Sequence, residues 1–195
     1  MLQQKLKEAT QTQHDQLEEL MFVKNIMGKN LTQDQYRQIL VTNYVTHLVY
    51  EDSIHHAINK EKATQLNLAA RYKLPALKLD LEEAVIDPKT LAEKFHTLNN
   101  IIEFDEATAL GAMYVLEGAT MGGAVIVKQL RLNPNFTEDF KFNYYNIYKE
   151  NLMPNWKSFV ATLNELPEEE HQKALNGALY MFEAIANIAQ KVKEI

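Results

Sequence analysis

The chain contains no cysteine. This absence excludes disulfide bonds, thiolate catalysis, iron–sulfur clusters and thiolate-bound metals, so that histidine, aspartate and glutamate are left as possible metal ligands. Long apolar runs are also missing, because charged residues interrupt each apolar stretch before it could span a bilayer. The first residues, MLQQKLKEATQTQ, lack the apolar core of a signal peptide. We therefore predict a cytoplasmic protein without a membrane segment.

Proline is scarce, and its five occurrences lie at or near the ends of segments whose apolar residues recur every three or four positions. No segment keeps the two-residue alternation of a strand, and nothing reads as a linker, a low-complexity run or a repeat. The sequence thus predicts an all-α fold, a multi-helix bundle in which residues 1–195 form a single domain. The predicted helices lie near 2–22, 33–59, 63–73, 76–85, 89–100, 105–131, 152–165 and 168–193. A capping box formed by Thr32 and Gln35 is predicted to begin the second of them.

Positive charge is in the minority, since the formal net charge is −6. This balance argues against generic binding to nucleic acid, and we expect no nucleic-acid partner. No phosphate-binding glycine loop, nucleophile elbow or zinc signature is found.

Glycine is scarce as well, yet four of the six glycines fall between Gly111 and Gly123 in a segment with strong helical character. Four glycines in a helix forgo about 2–4 kcal/mol relative to alanine, which calls for a reason. Gly111, Gly118 and Gly122 are spaced by seven and four residues and form one strip along a helix. A second helix packed closely against the strip would explain it, and so would a kink. The functional alternative is a large, flat ligand, apolar with polar edges, that lies against the helix backbone.

The N-terminal stretch LKEATQTQHDQLEEL, residues 6–20, offers a second candidate. On a helix, Lys7 lies about 20° and Glu18 about 40° from His14, so that a cation, an imidazole and a carboxylate share one stripe. The Glu18 carboxylate would orient one ring nitrogen of His14 and leave the other free for a metal ion. The alternative is a half-exposed histidine without a ligand.

Other candidates are weaker. Glu51 and His55 have the spacing of ligands to one iron of a carboxylate-bridged pair, but such a site needs matching motifs on further helices. The sequence supplies Glu103, Glu106 and Glu117 without a histidine three residues later. We interpret His47 and His96 as residues of the core edge or the surface.

Taken together, the motifs LKEATQTQH and YVLEGATMGG resemble the heme oxygenase family, and especially its bacterial, biliverdin-forming members. The two motifs occur in the order of that family and roughly a hundred residues apart. The chain length and the all-α pattern agree with the resemblance along the whole sequence.

The resemblance implies a heme oxygenase-like fold and the oxygenative cleavage of heme to biliverdin, carbon monoxide and ferrous iron, with heme as both substrate and cofactor. It implies that His14 binds the heme iron, with Glu18 near its outer nitrogen, and that Lys7 and Lys157 pair with the heme propionates. It places the glycines over the other face of the heme. The residues expected there are Gly118, Gly122, Gly123, Met121 and Thr120.

The resemblance also implies partners. Molecular oxygen is a substrate, and electrons must come from an external donor such as a ferredoxin, a flavodoxin or a reductase, which we expect to dock near Lys128 and Arg131. Plain helix-end charge complementarity is the alternative role of these two cations.

One position departs from the pattern of the family. Several members carry an aspartate after the first glycine of YVLEGATMGG, where this chain has Ala119. Thr120 and backbone carbonyls are then the expected holders of water. A heme-binding carrier or sensor without catalysis remains an alternative, as does a heme-free relative of the same architecture, such as a thiaminase-like protein or a di-iron oxidase.

Overall fold

The computed structural model describes residues 1–98 and 103–194, and within these ranges it contains helices and no strand. The α-helices are α1 (Leu2–Ala9), α2 (Gln11–Leu20), α3 (Val23–Met27), α4 (Gln33–His56), α5 (Lys60–Gln65), α6 (Leu74–Glu83), α7 (Pro88–Lys94), α8 (Glu106–Met121), α9 (Gly123–Arg131), α10 (Leu152–Asn164) and α11 (His171–Lys193). Short 3₁₀-helices cover Leu68–Arg71, His96–Leu98, Lys149–Asn151 and Glu168–Glu170. The predicted all-α bundle is confirmed.

Helix α8 lies at the centre of the bundle, because ten of its sixteen residues are buried and it packs against α4, α9, α10 and α11. Its main partner is α11, and α4 packs against α11 and α6. Two hydrophobic clusters result. One joins α1, α8, α10 and α11, and the other joins α4, α6, α9 and the segment 136–144.

Several helices begin where side chains satisfy their free backbone N–H groups. The predicted capping box is confirmed, since Thr32 Oγ1 accepts from the Gln35 backbone N–H at 3.1 Å and Gln35 Oε1 accepts from that of Thr32 at 3.0 Å. Asp105 caps α8 in a related way by accepting from the backbone N–H of Thr108. These caps fix the starts of two long helices that border the site described below.

The predicted bounds were wrong where the chain changes direction inside a continuous helical pattern. The segment 2–22 divides at Thr10, whose hydroxyl donates to the Leu6 carbonyl at 2.8 Å, and the short helix α3 follows. The segment 105–131 divides at Gly122. The predicted helices 63–73 and 168–193 each include a 3₁₀ turn. The end of the predicted helix 89–100 lies outside the described residues.

Within residues 1–98 and 103–194, one segment, Glu106–Arg131, is long and apolar enough to cross a membrane by length and composition alone, contrary to the expectation from the sequence. In the structure just over half of its apolar window is buried, and α8 packs along α11. Its apolar character is therefore that of a core helix.

Candidate functional site

A cavity of about 800 Å³ opens between the N-terminal helices and α8, and it is bounded by residues of both hydrophobic clusters. This volume falls in the range of about 300–1,000 Å³ that is usual for ligand pockets. Its lining is mostly apolar and includes side chains such as Leu17, Met21, Leu116, Trp156, Phe182 and Ile185. The site thus has the size and the character needed for a large apolar ligand.

The N-terminal wall carries His14, Glu18 and Lys7, as the helical stripe in the sequence predicts, and all three line the cavity. The His14 imidazole is about half exposed and contacts the Phe182 ring edge-on, with the ring centroids 6.3 Å apart. Its Nδ1 lies 3.6 Å from Asp15 Oδ1 and 3.9 Å from Glu18 Oε1. Both carboxylates are thus beside the same nitrogen, which leaves Nε2 as the ring atom available to a ligand.

The same three side chains, His14, Asp15 and Glu18, form the one group among the described residues that could hold a metal ion, with their ligand atoms within 4.8 Å of one another. The sequence prediction missed Asp15, although it directly follows the histidine. Most of the glutamates considered for an iron pair have other partners. Glu51 and Glu117 bind protein groups, as described below, and Glu106 pairs with Lys62 at 2.6 Å.

The glycine-rich motif YVLEGATMGG forms a second wall of the cavity, and two of its glycines face open space. A Cβ atom built on Gly118 would have Trp156 at 4.0 Å as its nearest neighbour, and one built on Gly122 would meet Ile126 at 3.6 Å. Neither position is crowded by protein, so alanine would fit sterically in both. Both glycines, together with Met121 and Ala119, line the cavity. The space that these two glycines leave free is part of the cavity.

Three other glycines face protein backbone, which corrects the prediction of one continuous ligand strip. A Cβ on Gly111 would lie 1.8 Å from the Ala174 carbonyl oxygen, and one on Gly177 would lie 2.0 Å from that of Thr108. These two glycines let α8 and α11 cross at main-chain contact. A Cβ on Gly123 would lie 2.2 Å from the Tyr145 carbonyl oxygen, so Gly123 faces protein backbone and is not part of the cavity lining.

Two further predicted residues also lie away from the cavity lining. Thr120 is buried, its hydroxyl donates to the Glu117 carbonyl at 2.6 Å, and it borders a separate small void. Lys157 is exposed on α10, one residue after the cavity-lining Trp156. The sequence did not show which side of each helix faces the cavity, because this depends on how the helices pack in the folded chain.

A buried network of charges supports the glycine-bearing helix, and the sequence analysis did not identify it. Glu117 directly precedes Gly118, and its carboxylate accepts from Arg71 Nη1 and Lys73 Nζ, both at 2.6 Å, and from the Tyr148 hydroxyl at 2.8 Å. Burial alone would raise the pKa of Glu117, but the two cations and the hydrogen bonds hold it below its ordinary value. The carboxylate is therefore ionised and fixes α8 to the segment 71–73.

A second buried carboxylate continues this network toward the cavity. His47 lines the cavity, and its Nδ1 lies 2.9 Å from Glu51 Oε1, with both side chains almost fully buried. Glu51 also accepts from the backbone N–H groups of Lys73 at 2.7 Å and Leu74 at 3.2 Å. Burial lowers the pKa of His47 and would by itself raise that of Glu51, but the hydrogen bonds from His47 and Lys73 bring the Glu51 pKa below its ordinary value. The pair is thus a neutral imidazole that donates to an ionised carboxylate.

The interpretation of His47 as a core-edge residue overlooked its partner. The sequence pattern pairs Glu51 with His55, four residues later, although His47 lies four residues earlier. The structure places His55 in the core, where burial lowers its pKa to about 4, and outside the cavity lining. A histidine and a glutamate four residues apart on the ligand side of a helix would have been the signal to follow.

The helical bundle, the half-exposed imidazole flanked by carboxylates and the glycines open to a large apolar cavity define a helical protein with a candidate ligand site between its helices. The family model described as heme oxygenase matches residues 1–191. The chain belongs to the heme oxygenase family.

Solved structures of this family share the fold. A heme oxygenase from Leptospira interrogans is 18% identical with a TM-score of 0.80, and the alignment covers 97% of this chain and 98% of that one. A heme oxygenase from Neisseria meningitidis, solved with NO and CO bound, is 19% identical with a TM-score of 0.73, covering 98% and 92%. Heme oxygenase-1 from the cyanobacterium Synechocystis sp. PCC6803, solved in complex with heme, is 14% identical with a TM-score of 0.73, covering 99% and 92%. No curated protein sequence matches the chain.

Proposed function

We propose that this protein cleaves heme to biliverdin, carbon monoxide and ferrous iron with molecular oxygen, and that residues 1–195 act as one domain. The observation that carries the proposal is that Gly118 and Gly122 leave cavity space free. Alanine would fit at both positions without a clash with protein, so the protein's own packing does not require glycine there. Family membership supports heme as the ligand. The Synechocystis relative, which was solved in complex with heme, supports it as well.

The residues present fit heme. An imidazole with one nitrogen beside two carboxylates and the other available is a suitable ligand for heme iron, and the apolar side chains of the cavity suit a porphyrin. Lys7 lines the same cavity and would pair with a propionate. Heme would supply the iron that activates oxygen and the ring that is opened.

The chain's own residues have three tasks in this proposal. His14 Nε2 would hold the heme iron. The open backbone at Gly118 and Gly122 would let the ring lie close to α8, and Met121 would help to exclude bulk water. The buried salt bridges of Glu117 would keep this wall rigid beneath the ligand.

Electrons must come from outside the chain, because the sequence contains neither a flavin nor a nicotinamide motif. An external ferredoxin, flavodoxin or reductase and a cytoplasmic location remain predictions of the sequence. Lys128 and Arg131 end α9 and are both exposed. They remain the proposed docking cations.

The test is a titration of the purified protein with hemin, followed by addition of reductant and oxygen. We expect a Soret band of a protein complex and then its bleaching to a bilin. In His14→Ala, heme should still enter the cavity, but the ligation spectrum should change, turnover should be lost and added imidazole should partly restore the spectrum. His56→Ala is the matched control, because His56 is exposed and lies outside the cavity lining.

An unchanged ligation spectrum in His14→Ala would overturn the assignment of the iron ligand. A second function, a heme carrier or sensor, is favoured by one observation: Ala119 places no acid beside the open glycines in the cavity wall. A wild-type complex that is stable under reductant and oxygen would establish that function instead.

A further inference from the structure

The pair of His47 and Glu51 borders the cavity, and the proposed function has so far given it no task. Glu51 receives three hydrogen bonds, from His47 Nδ1 and from the backbone N–H groups of Lys73 and Leu74. An ionised carboxylate only accepts hydrogen bonds, so the proton of the neutral imidazole must reside on Nδ1. The tautomer of His47 is therefore fixed by the protein.

This tautomer leaves Nε2 of His47 as a hydrogen-bond acceptor. Nε2 makes no hydrogen bond to any residue in the ranges 1–98 and 103–194, and the ring lines the cavity. A lone pair on a ring that borders a cavity of this size can bind a water molecule held inside the cavity, because water donates readily to imidazole nitrogen. His47 is consequently equipped to hold a water molecule in a part of the wall that it shares with the polar residues Asn43, Thr46 and Tyr144.

The pair is also attached to the glycine side of the cavity. Lys73 donates through its backbone N–H to Glu51 at 2.7 Å and through its Nζ to Glu117 at 2.6 Å. Glu117 directly precedes Gly118 in α8. One residue thus ties the histidine–glutamate pair to the helix that carries the open glycines.

The reduction of oxygen during heme cleavage consumes protons, and neither Ala119 nor Gly118 offers a polar side chain. We propose that Nε2 of His47 holds the water that donates protons to the oxygen substrate, and that Glu51 is the positioning residue that keeps Nε2 free to accept. The water gives up a proton and regains one from solvent at the cavity mouth, while His47 keeps its own proton on Nδ1. This inference rests on the proposed function, because it needs heme and oxygen in the cavity.

Asn43, Thr46 and Tyr145 also line the cavity, and among these polar neighbours Tyr144 is the competing group whose ring contacts His47. It lines the same cavity, and its ring stands edge-on to that of His47 with the centroids 5.7 Å apart. Burial raises the pKa of Tyr144, so its hydroxyl stays protonated and could also bind water. The variant Tyr144→Phe separates the two contributions.

The first measurement uses the apo protein and does not depend on activity. In a protein labelled with ¹⁵N-histidine, we expect the His47 ring to show the neutral form with the proton on Nδ1 between about pH 6 and pH 8. In Glu51→Gln the single remaining oxygen cannot serve all three donors, so the tautomer signal should shift toward a mixture. A His47 ring in wild-type protein with its proton on Nε2 would overturn the proposal.

The second measurement compares heme complexes of wild type, His47→Phe, Tyr144→Phe and the control His55→Phe. His55 is a buried histidine on the same helix, but it does not line the cavity. We expect His47→Phe to bind heme with unchanged affinity and to lose at least about tenfold in the rate of bilin formation. The pH midpoint of the alkaline spectral transition of its ferric complex should fall, because an acceptor that bonds neutral water raises the pKa of that water.

The outcomes separate this inference from the function on which it rests. A wild-type protein that forms no heme complex refutes both. A wild-type complex that is not degraded refutes the oxygenase function, and the alkaline midpoint of His47→Phe then decides whether His47 holds water. Wild-type rate and midpoint in His47→Phe refute the role of His47 alone, and the same holds if only Tyr144→Phe changes them.

Discussion

Replacing single glycines of α8 by alanine should have opposite effects at positions 111 and 118. At Gly118 the new methyl group meets no atom closer than 4.0 Å, so the helix gains alanine's better propensity, up to about 1 kcal/mol. For a domain of this size, 1 kcal/mol corresponds to about 2–4 °C in melting temperature. We therefore expect the ligand-free Gly118→Ala protein to melt at an equal or higher temperature than wild type.

At Gly111 the same methyl group would lie 1.8 Å from the Ala174 carbonyl oxygen. Rotation of a side chain cannot relieve a clash with the main chain, so the cost should reach the upper end of the usual overpacking penalty, about 3 kcal/mol. Against a propensity gain of up to about 1 kcal/mol, the net loss is about 2 kcal/mol. The melting temperature should fall by about 4–8 °C.

Heme binding distinguishes the two glycines a second time. The methyl group of Gly118→Ala occupies cavity space beside α8, so the hemin affinity should fall by about tenfold, or about 1.4 kcal/mol. Gly111→Ala should bind hemin with nearly wild-type affinity at a temperature where it is folded. Thermal unfolding followed by circular dichroism and a Soret titration measure both effects. A Gly118→Ala protein that is less stable than wild type, or that binds hemin equally well, would contradict the assignment of Gly118 to the ligand.

Three further predictions concern charge. Glu117→Gln leaves two buried cations without their anion and should lower the free energy of unfolding in urea at pH 7 by about 3–5 kcal/mol. Because the pKa of Glu117 is depressed in the folded state, this difference should shrink as the pH falls from the ordinary pKa of a glutamate toward the depressed pKa of the folded protein. The pKa of His55 is about 4 in the folded protein, whereas the unfolded chain takes up this proton near pH 6.5. The free energy of unfolding should therefore decrease as the pH falls from 6.5 toward 4, by up to about 1.4 kcal/mol per pH unit. His55→Phe should flatten this slope, and an equal slope in both proteins would refute the reasoning. Lys7→Ala should change the mixture of bilin isomers more than Lys157→Ala does, because of these two lysines only Lys7 lines the cavity. Each substitution should weaken hemin binding by less than about 1 kcal/mol. Chromatography of the bilin products tests this prediction, and equal effects of the two variants would contradict it.

Local patterns in the sequence carried the prediction of the fold and of one wall of the site. Helical periodicity predicted the bundle. The stripe of Lys7, His14 and Glu18 follows from the spacing of these residues along a helix. The division of that helix at Thr10 did not move these residues out of the cavity lining.

The roles of the glycines could not be predicted in the same way. Whether a glycine faces a cavity or another helix depends on residues far away in sequence, such as Ala174 for Gly111 and Tyr145 for Gly123. The buried salt bridges have the same origin, because Arg71 and Glu117 are 46 positions apart. Charged residues are usually read as surface, and only the folded chain shows which of them are paired inside.

The crossing of α8 and α11 has a consequence for how the cavity can admit a ligand. With main chain against main chain on both sides of the contact, these helices can neither slide closer nor tilt without a collision, so the crossing is fixed. Any widening of the cavity must come from the parts that are not clamped in this way, namely the N-terminal pair α1 and α2 and the segment beyond the break at Gly122. Amide hydrogen exchange should accordingly be slowest at the crossing and fastest in α2 and α9. A ligand would then enter by displacement of α1, α2 and α9, while α8 and α11 keep their positions.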